Sequence, residues 1–92
     1  MVERKATIAS LVGLHARPAA IFAEAVGKVS VDVTIALDGD PADGEMDASS
    51  ILSLMSLGAS HGDIVVLHAQ GPGAEEALDL LVTILETDLD SV

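Results

Sequence analysis

A histidine, an arginine and a proline stand close together near the N-terminus, at His15, Arg17 and Pro18. The apolar, helix-forming residues 19–26 that follow predict a helix beginning at about residue 16. Pro18 suits the first turn of that helix, because the N–H that proline lacks would have no intrahelical partner there. The residue before such a helix is usually Ser, Thr, Asp or Asn. A histidine in that position, followed by an arginine, therefore indicates a candidate functional site.

The chemistry that this pattern suits is phosphoryl transfer. The unpaired N–H groups and partial positive charge of a helix N-terminus bind anions. That charge and Arg17 both favour a neutral imidazole at His15, and a neutral imidazole is a nucleophile. A phosphoryl group on the ring would bring its oxygens towards backbone N–H donors and the Arg17 guanidinium, which matches phosphate geometry.

Three other interpretations of His15 stay open when only the residues are considered. It could be a structural histidine, packed or exposed. It could be a general base, although no Ser or Cys nucleophile is identifiably paired with it. It could bind a metal together with His61 and His68, although the chain has no His-x-His or His-x₃-His pattern. The residues alone indicate a histidine beside an anion site and go no further.

The length and composition predict one small domain, residues 1–92, with an aliphatic core. Half of the residues are hydrophobic, yet Phe22 is the only aromatic one. The absence of cysteine excludes a disulfide framework and thiolate metal sites. Neither a signal-peptide pattern nor a run of about 18 apolar residues occurs. We therefore expect a soluble, cytoplasmic protein.

The chain is strongly acidic, with 15 acidic residues, four basic residues and a net charge of −11. Such a charge argues against nucleic acid or an anionic membrane surface as a partner. It reflects solubility, or adaptation to a salty interior in which salt screens the repulsion.

Periodicity and turn residues predict the element order β-α-β-β-α-β-α. The predicted strands are at 2–9, at 29–37, around 45–47 and at 64–68, and the predicted helices are at 16–27, at 49–56 and from Ala74 onward. The first helix is expected to end at a left-handed Gly27, and the second to be capped by Asp47, Ser49 or Ser50 and to end at Gly58. The third helix is expected to turn a set of apolar residues to the core, namely Ala77, Leu78, Leu81, Ile84 and Leu85. The short turn between the second and third strands predicts that they pair antiparallel. With all helices on one face, this order gives a two-layer sandwich.

The segment Gly13-Leu14-His15-Ala16-Arg17-Pro18-Ala19 resembles the active-site signature of the HPr family, the histidine-containing phosphocarriers of the sugar phosphotransferase system. The segment from Ser50 to Gly58, the length and the element order are similar too, so the resemblance covers essentially the whole chain. It implies an α+β fold, an open-faced antiparallel sheet in the order 1-4-2-3 with three helices on one side.

The resemblance also implies a phosphoryl relay. His15 would accept a phosphoryl group on Nδ1 from a phosphohistidine of enzyme I, which phosphoenolpyruvate charges, and would pass it to a histidine of an EIIA domain. Arg17 would steady the phosphoryl group in both complexes. The chain would then be a carrier rather than an enzyme, with no cofactor and no metal, and we expect a monomer.

The docking surface of the family is an apolar patch beside the active site, which maps here to Ala16, Ala20, Ile51, Leu52 and Met55. Leu54 is expected in the core. A helix as short as 49–56 with apolar residues on both faces cannot bury both of them in a two-layer domain, so we expect an exposed patch. HPr proteins often surround this patch with several basic residues that meet acidic partner surfaces. Here Arg17 and Lys28 are the basic residues that could remain.

Ser50 aligns with a serine that a dedicated kinase phosphorylates in some HPr proteins, where a phosphate would block docking of enzyme I. Those members usually carry a basic residue just before that serine, whereas this chain has Ser49. A plain helix cap is the other interpretation of Ser50, and Ser53 and Ser56 are expected to be structural. The alternative function is a regulatory module of the same fold that acts on a transcription factor or enzyme through the Ser50 helix. Such paralogues typically lack the histidine, so His15 counts against it.

Overall fold

The computed structural model describes residues 2–9, 13–14, 16–39 and 46–87, and its elements follow the predicted order. They are β1 (Val2–Thr7), α1 (Ala16–Lys28), β2 (Val33–Leu37), β3 (Met46–Asp47), α2 (Ile51–Leu57), β4 (Ile64–Ala69) and α3 (Ala74–Leu85). The strands form one antiparallel sheet in the order β1-β4-β2-β3. The predicted strand order and the antiparallel pairing of β2 with β3 are confirmed.

The core lies between the sheet and the three helices. Alternate residues of the central strand β4, Val65, Leu67 and Ala69, are buried, as expected for the inner face of a half-buried strand. The helices contribute fully buried side chains such as Phe22 and Leu78. The core is aliphatic around a single aromatic ring, as the composition predicts.

Several predicted boundaries are wrong; β1, for example, ends at Thr7 rather than at residue 9, and α2 begins at Ile51 rather than at residue 49. Gly27 does not end α1 in a left-handed conformation, because the helix continues through Gly27 to Lys28. Lys28 forms an i,i+4 ion pair with Glu24, with Nζ 3.3 Å from Oε1, and a cation in the last turn is favoured by the helix dipole. The second strand begins at Val33 rather than Val29, since its partner β4 ends at Ala69, which lies opposite Val33.

None of the helices in the described parts of the chain is long and apolar enough to cross a lipid bilayer. The longest, α1, has 13 residues, which corresponds to about 20 Å of helix.

Candidate functional site

His15 lies outside the described residues, so the site is built from the residues on either side of it. Immediately before it, the Leu14 N–H donates to the carbonyl oxygen of Ala59 at 3.0 Å, and the Leu14 side chain is buried. Gly13 has a φ of 74° and packs against the same backbone, so that a Cβ there would collide with the Ala59 carbonyl and lie 2.9 Å from the Cα of Ser60. The turn after α2 therefore holds the segment that leads into position 15.

On the other side of His15, the helix begins as the sequence predicts. Ala16 is the first residue of α1, and Pro18 lies in its first turn with a fully buried side chain. Ala16 and Arg17 are exposed. Because Pro18 points inward, the first turn is anchored to the core while Arg17 lies at the surface beside position 15 in the chain.

The short helix α2 has the caps expected of it. Ser50 has an extended backbone, and its Oγ accepts a hydrogen bond from the Ser53 N–H at 3.3 Å. Gly58 ends the helix in the left-handed conformation, with φ of 73°. Of the three predicted capping residues, Ser50 is thus the one that caps, and its structural role is confirmed.

Asp47 fixes the turn that leads into α2. Its Oδ1 accepts hydrogen bonds from the Ser49 Oγ at 2.7 Å and from the Ser49 N–H at 2.9 Å. These hydrogen bonds hold the pKa of the Asp47 carboxyl below its usual value, the one from the Ser49 hydroxyl more strongly than the one from the Ser49 N–H. Both stabilise the charged form of the carboxyl. The Ser50 N–H also donates to the Asp47 backbone carbonyl oxygen at 3.2 Å, so the side chain and the backbone of Asp47 both hold the turn before α2.

The five residues of the predicted patch, here called the apolar surface, lie on α1 and α2, which pack against each other. They are Ala16, Ala20, Ile51, Leu52 and Met55. Leu52 is 78% exposed and Ile51 43%, Ala16 is exposed, and Ala20 and Met55 are half-buried. Leu54, on the opposite side of α2, is completely buried, as predicted.

Charge is nearly absent from these two segments. Through residues 16–23 of α1 and all of α2, Arg17 is the only charged side chain. Lys28, expected as a second cation near the patch, lies at the far end of α1, where it pairs with Glu24.

The structure does not support the metal interpretation of the histidines it describes. Nowhere in the described ranges do three His, Asp or Glu side chains come together in a group able to hold a metal ion. His61 lies exposed in a turn, and His68 Nε2 is 2.8 Å from Oε1 of Glu3 on the neighbouring strand. These two histidines belong to different parts of the surface.

Comparison with known proteins gives one consistent result. The family model described as "PTS HPr component phosphorylation site" matches residues 2–87. The phosphocarrier protein HPr of Streptomyces coelicolor is 40% identical over 93 residues, covering 100% of this chain and 96% of that protein. The crystal structure of HPr-C-His from Thermoanaerobacter tengcongensis is 37% identical with a TM-score of 0.83, covering 98% of this chain and 97% of that one.

A second similar structure is that of Crh from Bacillus subtilis, described as a catabolite repression protein that forms a swapped dimer. It is 38% identical, with a TM-score of 0.69, and the match covers 94% of each chain. The relatives thus include both phosphocarriers and a protein connected with repression.

Proposed function

Because this chain belongs to the HPr family of the phosphotransferase system, whose phosphocarriers are not catalysts in the usual sense, we propose that it carries phosphoryl groups on His15. It accepts them from the phosphohistidine of enzyme I, charged by phosphoenolpyruvate, and passes them to a histidine of an EIIA domain. The observation that carries the proposal is the family match together with the fixed residues, Leu14 and Ala16, on either side of position 15.

The transfer step exchanges one phosphorus–nitrogen bond for another. The lone pair on Nδ1 of His15 attacks phosphorus while the bond to the donor imidazole breaks, and the electron pair of that bond stays on the donor nitrogen. The Arg17 guanidinium, exposed in the first turn of α1, is suited to bind the phosphoryl oxygens. The N-terminus of α1 adds a favourable field for their negative charge.

The partners would dock on the apolar surface. Exposed Ile51 and Leu52 supply contact area that no other part of this small domain covers in the described structure. We propose that enzyme I and the EIIA domain use this area in turn, and that the protein acts as a cytoplasmic, single-domain monomer, in contrast to the swapped dimer described for Crh.

A regulatory module is the second candidate, favoured by the likeness to Crh and by the position of Ser50 at the start of α2. A phosphate on Ser50 would be attached to the Oγ that accepts the hydrogen bond from the Ser53 N–H. It would lie next to the apolar surface. The acidic Asp47 and the neutral Ser49 precede it, so a kinase would meet no basic residue directly before its target. The carrier function is therefore preferred.

The test is phosphorylation by enzyme I from the same source, with phosphoenolpyruvate and magnesium, read by intact mass. The carrier gains one phosphoryl group that is labile in acid and stable in base, and His15→Ala gains none. His61→Ala, which alters an exposed turn histidine, is the matched control and gains the group normally. If the folded protein stays unmodified beside a phosphorylated enzyme I, the carrier function is wrong and the regulatory one takes its place.

A further inference from the structure

We propose that the apolar surface fits a partner surface that is itself apolar and is bordered by neutral or basic side chains, not by acidic ones. The inference rests on the proposed carrier function, and it specifies the chemistry of the enzyme I and EIIA surfaces that this chain recognises.

The two cations of β1, Arg4 and Lys5, are paired with acidic side chains. Arg4 Nε is 3.0 Å from Oδ1 of Asp79, and its Nη2 is 3.9 Å from Oε1 of Glu75. Lys5 Nζ is 3.3 Å from Oδ1 of Asp38. Both cations lie on β1, an edge strand of the sheet, rather than on α1 or α2, and acidic side chains close to each of them offset their positive charge.

Lys28 is paired with Glu24 at the end of α1. Arg17 is then the one cation on the segments that carry the apolar surface, residues 16–23 and α2. One guanidinium is needed for the phosphoryl group itself in the proposed mechanism. No ring of basic side chains is left on these segments to attract an acidic partner.

The electrostatic field of the whole protein also disfavours an acidic partner surface. With a net charge of −11, the chain repels an acidic surface at any distance within the screening length, which is about 8 Å at physiological ionic strength and about 3 Å at 1 M. Opposite charges accelerate association at low salt, and like charges slow it. A partner with an acidic docking rim would therefore meet only repulsion beyond the contact with Arg17.

The salt dependence of phosphoryl transfer tests this directly. Initial rates of transfer from pre-phosphorylated enzyme I are measured below saturation, between about 0.05 M and 1 M salt, with autophosphorylation of enzyme I followed separately. A neutral rim predicts a rate that stays within about twofold as the salt concentration rises, and a basic rim predicts a rate that falls, because salt screens its attraction to this acidic chain. A rate that rises with salt would indicate an acidic rim and would contradict the proposal. A matched pair of charge variants therefore decides between these cases.

Ser56 provides that pair, because it is exposed on α2 and lies one turn after Leu52 on the same side of the helix. Against a neutral or basic rim, Ser56→Lys slows transfer or leaves it unchanged and Ser56→Glu does not slow it. Against an acidic rim, Ser56→Lys speeds transfer by about two- to fivefold and Ser56→Glu slows it as much.

Thr83→Lys and Thr83→Glu, on the exposed side of α3, are the controls that change the net charge equally at a distance from the apolar surface. Faster transfer with Ser56→Lys than with Thr83→Lys would overturn the inference while leaving the carrier function intact. No transfer at any salt concentration would instead remove the carrier function on which the inference rests.

Discussion

The contact between Gly13 and the turn after α2 yields a sharp prediction about the segment that leads into His15. Gly13 and Gly58 have nearly the same backbone conformation, with φ of 74° and 73°. Their surroundings differ, since a Cβ on Gly13 would run into the backbone of Ala59 and Ser60, whereas a Cβ on Gly58 would meet nothing within 4 Å. Alanine at the two positions therefore separates backbone strain from steric collision.

The expected magnitudes follow from these two terms. A non-glycine residue in the left-handed region costs about 1–2 kcal/mol, and Gly58→Ala should lose only that amount. Gly13→Ala adds an overpacking term of about 1–3 kcal/mol, because the atoms in the way are backbone and cannot rotate aside. Since 1 kcal/mol moves the Tm of a domain this size by about 4–8 °C, the two variants should be clearly resolved.

The assay is urea denaturation of the two variants and the unaltered protein, followed by circular dichroism, with phosphoryl transfer from enzyme I measured on the same samples. Gly13→Ala should be the less stable variant by at least about 1 kcal/mol. It should also transfer more slowly while folded, because relief of the collision must shift the segment before His15. Equal losses of stability at Gly13 and Gly58 would refute the claim that the Ala59–Ser60 turn holds that segment.

Leu54→Ala should destabilise the fold by about 2–5 kcal/mol, because it empties a completely buried site, and thermal denaturation measures that loss. Leu52→Ala, at a side chain 78% exposed, should change stability by less than about 0.5 kcal/mol yet raise the KM for transfer about tenfold. Leu80→Ala on α3, at a side chain 54% exposed, is the control, and an equal rise in KM there would contradict the assigned surface. Asp47→Ala should destabilise the protein at neutral pH, and the difference should shrink as the pH falls through the lowered pKa of Asp47, because a depressed carboxyl pKa stabilises the fold only while the group is charged. A difference that stays constant in urea titrations from pH 7 to pH 3 would show that the Ser49 hydrogen bonds do not depend on that charge.

Much of the fold could be predicted because each local signal agreed with the packing. The Ser50 cap and the left-handed Gly58 both reappear in the structure. One failure occurred where a partner strand decided the boundary, because β4 ends opposite Val33 and β2 starts there; that relation is not visible as a local pattern. Another occurred at Gly27, where α1 continues to Lys28, and the exposed ion pair between Lys28 and Glu24 adds only a small stabilisation to that last turn.

The candidate site, too, could be predicted from the sequence only in part. The exposure of Ile51 and Leu52 follows from a helix that is too short to bury two apolar faces, and the sequence is sufficient to predict it. The support that Ala59 gives to Gly13 and Leu14 joins segments more than forty residues apart. Nothing in the residue types of either segment encodes that pairing, which required the structure.

The carrier function is tested most directly by the second half of the relay. The phosphorylated protein is purified away from enzyme I and mixed with an equimolar EIIA domain from the same source, and the intact masses of both are followed. The account predicts that the phosphoryl group leaves this chain and appears on the EIIA histidine in equal amount. Retention of the group, or its release as inorganic phosphate without any gain by the EIIA domain, would contradict the account.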